Sequence, residues 1–311
     1  MYGGSKALFF ALSRSTALKR FASKYGMATA DSFARRFIAG ETVEEAIQDA
    51  RALQARGMLL TFDYLGESVR NADEAAAATR EYVLLIDVIV ASGIERNISL
   101  KLTQLGVDVD RATCVDNLRR ILDPAGRHDF FVRIDMEDSR YTDVTLEVFQ
   151  TLWQQEYRNV GIVLQSALYR TEQDVQQMVA MGARVRLVKG AYKEPPAVAY
   201  QKKADVDAAF RRIVRLLLER GTYPAIATHD ETIIADTRAF AAERHIGADR
   251  FEFQMLYGIR RDLQASLVAA GYRMRIYLPF GHQWFPYFMR RLGERPANVG
   301  FVIRGVLGER G

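Results

Sequence analysis

From Leu59 onward the chain repeats one pattern eight times: a short apolar run ending in a glycine, a turn or a charged residue, then a stretch with helical spacing. The runs are LLTFDYLG from Leu59, ISLKLT from Ile98, FFVRIDME from Phe130, VGIVLQSA from Val160, RVRLVKGA from Arg184, YPAIATHD from Tyr223, FEFQMLYG from Phe251 and RMRIYLPFG from Arg273. Strands separated by helices pair in parallel, and eight such units are the number that closes a sheet on itself. The expected fold is therefore α/β: a (βα)8 TIM-type barrel, with some distortion allowed for, and with extra N-terminal helices. The chain has 311 residues, against roughly 250 for a typical barrel. The surplus falls in residues 1–56, where ADSFARRFIAG and TVEEAIQDARALQA have helical periodicity; a helical segment is expected there, packed on a barrel at 57–311.

Composition removes several classes of function. Net charge is +5, from 43 Lys and Arg against 38 Asp and Glu, a mild excess that leans toward acidic ligands or an anionic surface. The basic residues are not interleaved with aromatics in one long stretch, which argues against nucleic acid. The single cysteine, Cys114, excludes an internal disulfide and fits a reducing compartment. No apolar stretch reaches the roughly 18 residues of a membrane span. YVLLIDVIVASG, interrupted by Asp87, reads as a buried helix face. The first twenty residues, MYGGSKALFFALSRSTALKR, have the basic, acid-free character of an organellar presequence, but read better as an amphipathic helix of the fold. There is no G-x-G-x-x-G, Walker A or G-x-S-x-G motif, and the four histidines (128, 229, 245 and 282) form no metal-binding pair, so no metal is expected.

The strands themselves carry charge. Side chains alternate along a strand, so Arg133, Asp135 and Glu137 share one face, as do Ser99, Lys101 and Thr103, and Arg184, Arg186 and Val188. Both faces of a barrel strand are covered, and an unpaired buried charge costs several kcal/mol. Lys101, Asp135 and Arg186 thus converge on one mouth, either as a closed set of ion pairs that holds the barrel or as a ligand site; charge on three strand ends favours the site. Glu67, Gln165, Lys189, Thr228, His229 and Asp230 occupy corresponding positions. Neighbours on a strand face opposite ways, so His229 reads as a ligand-positioning or core histidine rather than a base held by Asp230. After the last run a helix is expected from Gln283 to Glu294, with adjacent Arg290 and Arg291. Two guanidinium groups can grip a carboxylate; by spacing alone a solvated basic face with Glu294 as partner is favoured. The residues alone describe a barrel enzyme whose cationic mouth takes an anionic small molecule, with room for a cofactor.

At SLKLTQLG, VRIDMEDS, VLQSALYR, RLVKGAYKEP, IATHDE, FEFQMLYGIRRDLQ and YLPFGHQWFPYFMRRL the chain resembles the proline dehydrogenase family in its monofunctional bacterial form, from about residue 30 to the C-terminus. The resemblance implies non-covalent FAD, oxidation of L-proline to 1-pyrroline-5-carboxylate by hydride transfer, and electrons passed to a membrane quinone. It makes 57–311 the FAD-binding barrel. It assigns Arg290 and Arg291 to the proline carboxylate, with Lys101 facing it, and Tyr277, Leu256 and Tyr192 to the pocket walls. Glu67 resembles a gate residue that pairs with Arg291. Arg186 resembles the arginine beside the reactive flavin nitrogen, and Asp135 the active-site aspartate that orients Lys101 and Arg186. Met136, Gln165, Lys189, Gly190, Ala191, Thr228 and His229 match positions that hold FAD, with Lys189 near the pyrophosphate. Phe280 and Gly300 depart from common family residues without touching that chemistry. With no aldehyde dehydrogenase domain following, the product is expected to pass to a separate pyrroline-5-carboxylate dehydrogenase. The expected location is the cytoplasm or the inner face of the membrane, held peripherally. Rival readings are a Schiff-base lyase or aldolase using Lys189 or Lys101, and a non-catalytic module that binds anionic surfaces.

Overall fold

The computed structural model describes residues 34–66 and 68–294, the last three of them as backbone only. The eight runs become parallel strands β1 (Leu59–Tyr64), β2 (Asn97–Leu100), β3 (Phe131–Ile134), β4 (Val160–Gln165), β5 (Val185–Val188), β6 (Ala225–Ala227), β7 (Glu252–Leu256) and β8 (Met274–Phe280). They pair in chain order and β8 closes on β1, giving the expected barrel. Helix α1 (Val43–Gln54) precedes β1. Each strand is then followed by a helix: α2 (Ala72–Ser92), α3 (Arg111–Arg127), α4 (Thr142–Gln154), α5 (Thr171–Met181), α6 (Lys203–Arg220), α7 (Glu231–Glu243), α8 (Arg261–Ala269) and α9 (Trp284–Glu294).

Alternation separates two chemistries. Leu60, Phe62, Ile98, Leu100, Val132, Ile134, Ile162, Leu164, Leu187, Ile226, Phe253, Met255, Ile276 and Leu278 are all buried in the main apolar core with the helices. The opposite parity holds Thr61, Asp63, Ser99, Arg133, Arg186, Glu252, Gln254 and Arg275, all buried and all polar. A TIM-type interior is commonly filled by branched aliphatics; here it is filled by charges that neutralise each other. At the N-terminal end of the barrel Arg275 donates to Glu252 at 2.7 and 3.0 Å and to Glu95 at 2.6 Å. Arg133 donates to the carbonyls of Ile162 and Arg184 and lies over the Phe131 ring. Gly161 makes that possible: a Cβ there would come within 2.6 Å of the Arg133 guanidinium and 2.7 Å of the Arg184 carbonyl.

The alternation argument holds only where the strands do. β2 ends at Leu100 and β3 at Ile134, so Thr103 and Glu137 are beyond the pleat; they bind each other instead, Thr103 donating from N and Oγ1 to Glu137 at 3.1 and 2.7 Å. Arg184 precedes β5, at the end away from the mouth, where it is exposed and stacks on Phe131 and Tyr223.

α1 coincides with the TVEEAIQDARALQA pattern and buries Ala46, Ile47, Ala50 and Leu53 in the main core. The described part of ADSFARRFIAG, from Ala34, is one turn rather than a helix. The next residues join the end of β8: Ala39 N–H donates to the Pro279 carbonyl and Gly281 N–H to the Gly40 carbonyl, each at 2.9 Å. Phe37 and Ile38 then form a second apolar cluster with Leu65, Trp284, Phe285, Phe288 and Met289, seating α9. The Trp284 indole donates to Glu41 at 2.7 Å. The basic first twenty residues lie outside the described residues. YVLLIDVIVASG forms the end of α2 up to Ser92, with Gly93 as its C-cap; Tyr82, Leu85, Ile86 and Ile89 are buried and Asp87 is exposed. Cys114 is buried, which pushes its thiol up to about 12. Among the described residues no helix is long and apolar enough to cross a membrane.

Glu252 supplies a stability test. Burial opposes its ionisation, but the Arg275 charge and the hydrogen bonds from Arg275 and Gln254 hold its carboxyl down to about 2. A carboxylate lowered in the folded state contributes stability above its unfolded pKa and loses it as pH falls. Urea unfolding is therefore expected to weaken from pH 4.5 toward about 2, and Glu252→Gln should flatten that limb while costing about 3–5 kcal/mol at pH 7.

Candidate active site

The charges that do not close into struts collect at the C-terminal mouth. Asp63 lies near the end of β1, Ser99 in β2, Arg186 in β5 and Tyr277 in β8, while Lys101 and Asp135 are the residues immediately after β2 and β3. Asp135 is fully engaged: Arg186 donates to Oδ1 at 2.7 Å and the Tyr277 hydroxyl to Oδ2 at 2.6 Å. Arg186 also donates to Ser99 Oγ at 3.0 Å, and its guanidinium carbon lies 5.3 Å from the Tyr277 ring centroid. Ser99 in turn shares a 3.1 Å hydrogen bond with Thr61. Arg186 and Asp135 pair as expected. For Lys101 the structure adds a partner that sequence reasoning missed: its Nζ is 3.1 Å from Oδ1 of Asp63. The signal was present, since an aspartate inside the apolar run LLTFDYLG is as anomalous as the charges noted on β3 and β5.

Burial raises the Asp63 carboxyl, and the nearby Asp135 adds to this against the pull of Lys101. The Tyr277 hydroxyl is pushed well above its ordinary value by burial and by both carboxylates, so it remains a donor. Tyr82 of α2 is raised in the same way and donates to Gln104 at 2.9 Å, bracing the ends of β1 and β2 from behind.

A second group of expected residues lines the ends of β4, β5 and β6. Gln165 Nε2 donates to the Glu137 carbonyl at 2.8 Å. Gly190 has φ of 111°, and a Cβ there would sit 3.1 Å from Gln165 Oε1 and 3.3 Å from Ala167 Cβ, so only glycine lets this backbone lie so close. Gly190, Ala191 and Tyr192 are exposed in the loop after β5, and Met136 is buried. Lys189 is held between Asp207 at 2.6 Å and Asp230 at 2.9 Å, and Lys203 bridges the same two carboxylates. Asp230 also caps α7 through Thr232 and Ile233; despite burial, these hydrogen bonds and Lys189 hold its carboxyl well below the usual range. Thr228 is buried and accepts from the Asp230 N–H at 3.2 Å. His229 Nε2 accepts from the N–H of Leu256 at 3.1 Å. That bond fixes Leu256, the last residue of β7, beside the end of β6.

Arg290 and Arg291 are half-buried on α9, with Arg291 over the Tyr287 ring at 5.1 Å. α9 packs on Leu65 and Ile259, which follow β1 and β7, so it lies over the C-terminal ends of the strands. Glu67, Gly300 and the Glu294 side chain are outside the described residues. Phe280 is buried against Phe62 and Tyr64. Among the described residues no group of three or more His, Cys, Asp or Glu could hold a metal.

A sequence model of proline dehydrogenase matches residues 46–304. The chain belongs to the proline dehydrogenase family. Proline dehydrogenase 1 of Bacillus subtilis strain 168 is 43% identical over 300 residues, spanning 96% of this chain and 98% of the relative. Proline dehydrogenase of Deinococcus radiodurans is 45% identical over 280 residues, spanning 89% and 90%. A crystal structure of proline utilization A (PutA) from Bdellovibrio bacteriovorus, inactivated by N-propargylglycine, superposes with a TM-score of 0.80 at 29% identity. It covers 90% of this chain, which spans only 34% of that longer protein.

The Tyr277–Asp135 hydrogen bond is a charge-assisted one, and Tyr277→Phe removes it while keeping the ring. The expected cost is about 1.5–3 kcal/mol in urea unfolding. A variant as stable as the parent would show that this bond does not hold the mouth.

Proposed function

We propose that the chain is a flavin-dependent proline dehydrogenase, which binds FAD non-covalently, oxidises L-proline to 1-pyrroline-5-carboxylate and passes the electrons to quinone. The observation that carries this reading is the buried array Lys101–Asp63 and Arg186–Asp135–Tyr277 at the C-terminal mouth, in a chain similar over nearly its whole length to proteins named proline dehydrogenase.

The residues fit the cofactor. Arg186 keeps a buried Nε–H with no hydrogen-bond partner, a donor suited to an electron-rich ring. Gly190 forms a side-chain-free cradle against Gln165, leaving the Gly190 and Ala191 backbone open to a diphosphate. Met136, Gln165, Lys189, Thr228 and His229 complete the proposed FAD-binding set. Because Asp207 and Asp230 already share the charge of Lys189, we assign it to shaping the loop that meets the diphosphate. When bound, FAD supplies the two-electron acceptor.

The protein's part is to bind and orient proline and exclude water. Arg290 and Arg291 grip the carboxylate, the geometry for which guanidinium forks are suited. Lys101 faces the same carboxylate, and Tyr277, Leu256 and Tyr192 wall the ring. Asp135, with both oxygens committed, fixes Arg186 and Tyr277 relative to each other. Delivery of electrons to a lipid-soluble quinone implies peripheral membrane contact, and the product is passed to a separate dehydrogenase. The aldolase reading fits less well, because Lys101 and Lys189 are both engaged by carboxylates rather than set in an apolar pocket that activates a nucleophilic amine.

Purified protein should show a yellow flavin spectrum that L-proline bleaches without oxygen. A flavin spectrum indifferent to proline refutes the substrate; a colourless protein trapped by borohydride with an aldehyde supports the lyase instead. Arg291→Met should keep its flavin and raise KM for proline at least about 30-fold, the equivalent of a lost charged hydrogen bond of about 2 kcal/mol.

A further inference from the structure

Proline enters with its ring nitrogen protonated. A hydride can leave the adjacent carbon only when the nitrogen lone pair is free to form the iminium, so one proton must first leave the substrate. The mouth contains several groups that are unable to receive it. Asp135 has both oxygens committed to Arg186 and Tyr277. Tyr277 and Tyr82 are hydroxyl donors, to Asp135 and Gln104. Glu137 accepts from Thr103 on each oxygen, and His229 accepts from the backbone of Leu256 on Nε2. Arg186 is always charged.

Asp63 is different. Its Oδ1 meets Lys101, while its Oδ2 is buried and accepts no hydrogen bond of good geometry, the nearby Tyr277 hydroxyl being turned to Asp135. A buried carboxylate oxygen left in this state costs roughly 1–3 kcal/mol or more, and such sites call for an explanation. Its side chain is 1% exposed and that of Lys101 is 12% exposed, so Lys101 alone of the two reaches the mouth. Resting on the proline reading above, we propose that Asp63 is the terminal acceptor of the proton released by the substrate nitrogen, reached through Lys101. It is a positioning residue that determines the pH at which proline reacts.

The transfer balances without any electron moving. One N–H bond of the substrate breaks, and Lys101 takes that proton as it passes one of its own to Asp63 Oδ1 across 3.1 Å. An O–H bond forms on Asp63. The substrate nitrogen goes from +1 to neutral, Asp63 from −1 to neutral, and Lys101 is an ammonium before and after, still able to face the carboxylate. The groups around Asp63 are Lys101 from the end of β2, Asp135 from the end of β3 with Arg186 of β5 behind it, Tyr277 of β8 and Tyr82 of α2. Burial and Asp135 favour the neutral acid, which brings its proton affinity nearer to that of the substrate amine. The two adjacent carboxylates differ in their partners: Asp135 has both oxygens engaged and orients, while Asp63 has one open and accepts.

The test compares proline-driven flavin reduction across pH in the holoenzyme, for the parent, Asp63→Asn and Asp63→Glu. The parent should be flat above an acid limb. Asp63→Asn must wait for proline already deprotonated in solution, so its rate should climb with pH, the deficit being at least about 100-fold at pH 7 and shrinking below about 10-fold near pH 10. Asp63→Glu keeps a carboxylate and should retain the parent shape with its acid limb displaced. Binding of cyclopentanecarboxylate, which has the ring and carboxylate but no amine, should change less than about 3-fold in Asp63→Asn, because no proton has to leave. A loss equal at every pH, an undisplaced limb in Asp63→Glu, or a matching loss of cyclopentanecarboxylate affinity overturns the proposal and reduces Asp63 to a structural partner of Lys101. If the parent flavin does not respond to proline at all, the underlying functional reading fails instead.

Discussion

Everything in this barrel depends on how charge is neutralised where water is excluded. A parallel barrel covers both faces of every strand, and this one places arginines, glutamates and aspartates on the inward face. Each such group costs several kcal/mol unless a partner meets it in good geometry. The strand register therefore has to match charges as well as seal the sheet. Ser99 pairs in register with Asp63 and with Arg133, and Gln254 with Arg275, so a slip of one residue would move apolar side chains inward and leave charges against the helices.

Satisfaction is incomplete at both ends of the barrel. At the N-terminal end Arg275 closes on Glu252 and Glu95, and Arg133 on two carbonyls, while Arg133 Nε and Gln254 Oε1 stay buried without a hydrogen-bond partner. At the other end the same residue types leave loose capacity, at Arg186 Nε and Asp63 Oδ2.

The fold was legible because alternation and helical spacing are local properties that each strand and helix writes independently. The mouth was legible in part. Strand parity points to Lys101, Asp135 and Arg186, but parity says nothing once a strand ends, so it groups Thr103 with Lys101 and Glu137 with Asp135 although Thr103 and Glu137 bind each other across two loops. Asp63 is scarcely legible in sequence because its run otherwise reads as apolar, and its significance comes from a lysine just past the next strand rather than from anything beside it in sequence. The two carboxylates around Lys189 come from α6 and α7, separations that no short pattern can report. The arginine pair on α9 gained its assignment from family resemblance, since spacing alone favoured a solvated face.

The seat of α9 joins the two ends of the described chain. The helix bearing Arg290 and Arg291 rests on Phe37 and Ile38, and its first indole is anchored to Glu41, 243 positions earlier. The segment ahead of the first strand is therefore one wall of the seat that holds the helix with these two arginines. Under the proposed function, a substitution in that segment would change how firmly the carboxylate is held without altering any residue assigned to it.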